Sequence, residues 1–212
     1  MNAPTLTARP SSPTSSTPSW PRAAGILILT GGVLLTAATA LEIGTDVSTD
    51  PGPATAFWVL FLASTLAHVA AMFPLALGRG DGQGTVGPSI VGKLALLGFG
   101  AFFLANQSLY LLAAYLLPTA EPTDGAMAFL FGMSAVQGVL LLVGGIAIVR
   151  ARVLAGAARW AILVLAVIGF ALGVVINASS IEALTNTMYF VSTGAQIVAG
   201  LLIARAGVLA AK

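Results

Sequence analysis

Six long apolar stretches separated by short polar breaks make up most of the chain: residues 23–43, 55–77, 90–117, 126–149, 159–177 and 185–204. A hydrocarbon core of about 30 Å takes roughly 20 apolar residues as helix, and each stretch is long enough. A membrane β-barrel would require strands alternating apolar and polar residues, a pattern missing from these stretches. The spacing therefore predicts an all-α polytopic membrane bundle of six transmembrane helices, arranged as three hairpins. The breaks carry turn chemistry, as in "GTDVSTDPGP" (44–53), "GRGDGQGTVGPS" (78–89) and "PTAEPTDG" (118–125). The third stretch exceeds one bilayer thickness and is expected to tilt or to run beyond the membrane.

Composition agrees with this pattern. Hydrophobic residues make up 58% of the 212 and charged ones 8%, with a mean hydropathy of +0.98, whereas a soluble domain is about a quarter charged. The net charge of +2 is scattered, which argues against a nucleic-acid surface. Residues 1–20, rich in Ser, Thr and Pro, bury too little apolar surface to order and are expected to form a disordered cytoplasmic tail, leaving 21–212 as the membrane domain. Lysine and arginine are retained on the cytoplasmic side of short loops. Arg22, Arg79, Lys93, Arg150, Arg152, Arg159 and Arg205 all fall on one side, and the opposite loops and their borders carry only acids, Glu42, Asp46, Asp50, Glu121, Asp124 and Glu182. Both termini are thus expected in the cytoplasm. A rival reading makes the first stretch a signal peptide cut after "ATA" (38–40); its span length and long leader favour an uncleaved helix.

Polar side chains at bilayer depth need partners, so the few present are the candidate functional residues. His68, the only histidine, lies mid-span with Ser64 one turn before it. It is expected at a depth similar to Gln137 and Gln196, which follow comparable "FLASTLAH", "FGMSAVQ" and "YFVSTGAQ" strings in the returning helix of each hairpin. In "FFLANQSLY" (102–110), Asn106, Gln107 and Tyr110 form a second cluster, with Phe102, Asn106 and Tyr110 on one face. His68, Asn106, Gln107, Tyr110, Gln137 and Gln196 together are the predicted ligand-binding set. The plainer reading is interhelical hydrogen bonding. Glu42, Asn177, Glu182, Asn186 and Tyr189 sit at span ends and, together with Asn106, would edge a cavity if the helices bundle compactly, although Glu42 is expected to remain solvated. Gly169 and Gly173 make a GxxxG pair suited to close helix approach.

One histidine and no cysteine do not amount to a metal-ligand set. No P-loop, dinucleotide fingerprint, HExxH or GxSxG is present, nor a pair of intramembrane carboxylates, so no catalytic residue, metal or cofactor is expected. The layout from about 22 to 205, with "ARWAILVLAVIG" (158–169) opening a span, resembles small six-span bacterial integral membrane proteins. That resemblance implies a helical bundle in the bacterial cytoplasmic membrane and no specific activity. The expected function is non-enzymatic: binding or moving a small organic or lipophilic ligand, or serving as an accessory subunit. The alternatives are a purely structural component, with a membrane-protein partner or a second copy, and an intramembrane enzyme.

Overall fold

A computed structural model describes residues 19–79, 83–116, 124–178 and 181–206. Among these, all regular structure is helical: α1 (Trp20–Gly44), α2 (Pro51–Leu77), α3 (Ile90–Leu111) continued by a π-helical turn (Leu112–Leu116), α4 (Asp124–Ala151), α5 (Ala158–Ala178) and α6 (Glu182–Ala204). All six are long and apolar enough to cross a membrane. Residues 1–18 of the predicted tail, and Glu121, lie outside the described residues. Ser19 and Trp20 belong to the bundle: Ser19 occupies the N-cap position, Pro21 fixes the first turn, and the Trp20 ring is buried.

The sequence explains where several helices begin. Asp50 accepts a hydrogen bond from the Gly52 amide at 3.0 Å, with Pro51 at the first helical position of α2. Ser89 does the same for Gly92 at 3.1 Å at the head of α3. The far end of α2 is finished from outside. Both the amide and the hydroxyl of Thr85 donate to the Leu75 carbonyl, at 2.7 and 2.8 Å, satisfying a group that the helix leaves open. This tuck needs Gly84, where a Cβ would stand 2.3 Å from the Leu75 oxygen.

Each helix packs on the next in chain order, and α6 returns to α1. The hairpins α1–α2, α3–α4 and α5–α6 are present, but α2–α3, α4–α5 and α6–α1 are direct neighbours too, so the bundle closes as a ring. The α6–α1 seam rests on glycines: a Cβ on Gly25 would fall 2.1 Å from the Ala204 nitrogen, and one on Gly200 would fall 2.4 Å from the Leu29 nitrogen. At the end carrying the basic residues, one apolar cluster draws on all six helices and on Val86 and Leu154 from the loops, both essentially inaccessible. A smaller cluster, including Phe57, Phe61 and Leu111, packs α1, α2 and α3 together near the acidic end. On α4 and α5 several glycines face no close neighbour: a Cβ at Gly132, Gly169 or Gly173 would meet no atom within 4 Å, although Gly138 packs tightly on Phe170. The GxxxG pair therefore does not mediate helix packing within the described chain. The expected close approach occurs at Gly25, Gly200 and Gly145 instead.

Candidate functional site

The site grows from the last turn of α1. Glu42 stands where the unpaired carbonyls of that helix end already make the surroundings negative, an unfavourable place for a carboxylate. Two phenols offset this. Tyr110 and Tyr115 both donate to Glu42 Oε1. Five residues apart, they would point in different directions on an α-helix. The π turn over Leu112–Leu116, whose bonds run from residue i to i+5, brings Tyr115 round above Tyr110, and their rings meet edge-on at 6.2 Å. The expected solvated Glu42 is thus a half-buried acceptor. Its neighbourhood is aromatic: Phe61 lies 5.9 Å from Tyr110, and Phe57 lies 5.3 Å from Tyr115.

Beside this cluster, between α1, α3 and α6, opens a cavity of about 520 Å³. Its polar lining comprises Thr39 and Glu42 of α1, Gln107 and Tyr110 of α3, and Glu182, Asn186, Tyr189, Ser192, Thr193 and Gln196 of α6; Leu35, Ile43 and Phe61 supply apolar wall. The volume falls within the range of small-molecule sites. Both carboxylates lie at helix ends on the acidic side, while Thr39, Thr193 and Gln196 lie farther along their helices toward the middle of the bundle.

Of the six predicted residues, Gln107, Tyr110 and Gln196 line this cavity. His68 does not; it packs at the junction of α1, α2, α3 and α6. Its Nδ1 lies 2.9 Å from the Ser64 carbonyl oxygen, which only accepts, so Nδ1 carries the proton. Ser64 Oγ donates to the Gly31 carbonyl at 2.8 Å, and Phe103 meets the imidazole edge-on at 5.6 Å. Gly31 makes room for the ring, since a Cβ there would stand 2.5 Å from it. The imidazole is 6% exposed, its Nε2 has no hydrogen-bond partner, and its neighbour on α6 is the side chain of Gln196. Asn106 faces away from the cavity and donates to Ser134 Oγ at 3.2 Å, tying α3 to α4. Gln137 is buried and donates to its own helix at the Met133 carbonyl, 3.3 Å away.

The anticipated span-end residues Glu42, Glu182, Asn186 and Tyr189 do edge the cavity, whereas the side chain of Asn177 lies outside the described residues. Tyr115 escaped sequence reading because α-helical spacing separates it from Tyr110. Thr39, Ser192 and Thr193 escaped because hydroxyls also satisfy themselves on their own helix, as Thr193 does at the Phe190 carbonyl, 3.2 Å away. The arrangement offers hydrogen-bond donors and acceptors, two carboxylates and aromatic faces around a recess deep enough for an organic molecule. Among the described residues no group of three metal-ligating side chains stands together. No protein-family model, curated protein or solved structure matches this chain.

Proposed function

We propose that this is a non-enzymatic, multi-pass protein of the bacterial cytoplasmic membrane that binds a small organic ligand, or helps to move one, from the outer side. The observation that carries the reading is the cavity between α1, α3 and α6, polar at its mouth and along its α6 wall, while the basic end of the bundle is filled with apolar side chains. A recess closed at one end suits capture on one face of the membrane. The segregation of charge supports the orientation: the described basic residues gather at the filled end, so both termini lie in the cytoplasm and the cavity faces outward. The lipid bilayer is the surrounding partner in this reading. An accessory role beside another membrane protein, or a second copy of this chain, remains compatible with it, because the ligand would then be presented to that partner.

Native mass spectrometry of the full chain, released gently from its own membranes into nanodiscs, tests the proposal. We expect a small molecule to be retained by the wild type and lost in Ser192→Trp, which fills the cavity from α6. A bare chain, or a protein-only complex unchanged by the substitution, would replace this reading with a structural or assembly role.

A further inference from the structure

The chemistry of the cavity wall narrows the kind of ligand, and this step rests on the ligand-binding reading above. We infer that the occupant is a monovalent organic cation: an ammonium, or a related nitrogen cation with N–H groups to donate, attached to a compact apolar body.

Among the described residues, the lining carries two carboxylates, Glu42 and Glu182, and no lysine, arginine or histidine. A cavity walled by low-dielectric side chains and edged by one sign of charge concentrates counter-charge within it. The carbonyl end of α1 adds to the same negative field beside Glu42. Among the described residues, both donors to Glu42 reach Oε1, and no bond is made to Oε2. The phenols fix the carboxylate in place and leave an oxygen for a further donor.

Beyond the carboxylates, the side chains of Gln107, Asn186 and Ser192 give the lining further acceptor oxygens alongside their own donors. Gln196 adds its amide to the α6 wall, with its Oε1 turned inward and inaccessible. Carboxylate oxygens in a recess with apolar walls are matched better by a ligand bringing N–H groups than by one bringing only lone pairs. The aromatic wall favours the same charge. Tyr110, Tyr189 and Phe61 line the recess, and aromatic faces attract ammonium and guanidinium groups more strongly when water is excluded. Leu35 and Ile43 give an apolar body somewhere to lie. A bare metal ion fits poorly, since about 520 Å³ far exceeds one ion and hard divalent cations require six or more closely placed oxygens.

The test compares three probes of similar shape and different charge, benzylammonium, benzyl alcohol and benzoate, titrated calorimetrically against the full chain in nanodiscs, with empty nanodiscs subtracted. Benzylammonium is expected to bind saturably, at least tenfold more tightly than the other two. Glu42→Gln should weaken it by at least tenfold. Because Glu42 also anchors two tyrosines, Glu182→Gln provides a second variant at an exposed position, with an expected loss of at least threefold. Benzyl alcohol or benzoate binding as tightly as the cation, or benzylammonium binding unchanged in both variants, would overturn the charge inference and leave the ligand-binding reading intact. No saturable binding by any of the three would count against both.

Discussion

Gly31 and His68 show how strongly one pair of residues can constrain four helices. The imidazole fills the space that glycine leaves on α1, holds its own helix at Ser64 and abuts Phe103 and Gln196. Gly31→Ala would drive a methyl group to 2.5 Å from the ring, and overpacking of this kind costs about 1–3 kcal/mol. In a His68→Ala background the same substitution should cost far less, because the obstructing ring is gone. Thermal unfolding of the four variants as a double-mutant cycle measures the coupling; equal effects of Gly31→Ala in both backgrounds would contradict the contact. Asp46 offers a different residue-scale reading, outside the membrane. Hydrogen bonds from the Ser48 side chain, from Thr49 and from the Ser48 amide hold its carboxyl below the ordinary range. A depressed carboxylate stabilises the α1–α2 turn above its unfolded pKa, and that contribution is lost as pH falls through the lower folded value. The Ser48 amide resonance should therefore titrate with a midpoint below about 3.9, the usual aspartate value.

At the scale of the helices, glycine has opposite meanings at different positions. Gly25 and Gly200 lie where backbone meets backbone across α1 and α6, and backbone cannot yield as a flexible side chain does. Gly25→Ala or Gly200→Ala should force the two helices apart and lower stability by about 1–3 kcal/mol or more. Gly169→Ala meets no atom within 4 Å and should change stability by no more than about 0.5 kcal/mol, with alanine favoured as the better helix former. Unfolding midpoints of these variants in one detergent distinguish the seam from the open face. The GxxxG spacing in "GFALG" does not mark a close approach within this chain; small residues at four-residue intervals recur throughout a chain this rich in glycine and alanine, and the spacing alone does not separate an internal contact from a face between copies. The π turn is a second element-scale feature. Tyr110 and Tyr115 are plain in the sequence, yet their convergence on Glu42 depends on one widened turn that no local pattern in "YLLAAYL" announces.

Across the whole molecule, the two ends of the ring differ. Loop residues Thr85, Val86 and Leu154 fold inward at the basic end and complete its apolar filling, whereas the acidic end opens into the cavity. With no native cysteine, single-cysteine variants report this difference without background. Asn186→Cys and Ser192→Cys should react with a membrane-impermeant maleimide added outside intact cells. Arg152→Cys should react only after the membrane is opened. Ile162→Cys, inside the apolar filling at 1% exposure, should react in neither case. Labelling of Arg152→Cys from outside intact cells would reverse the proposed orientation.

The sequence alone determined that the chain is all-α with six helices of membrane-spanning length, because twenty-residue apolar runs leave the backbone no alternative to bonding within itself. It also segregated basic from acidic ends and gathered the polar candidates onto a short list. It could not determine which of those candidates meet. His68, Gln137 and Gln196 occur in similar strings, but Gln137 bonds its own helix while His68 and Gln196 adjoin, a difference set by how far each helix is rotated about its axis. Apolar residues surround every helix on most sides, so the sequence carries almost no information about that rotation. Only the closure of the ring, through α6 against α1, placed Tyr189 near Glu42 and Gln196 beside Gly32, and made a cavity of residues more than a hundred positions apart.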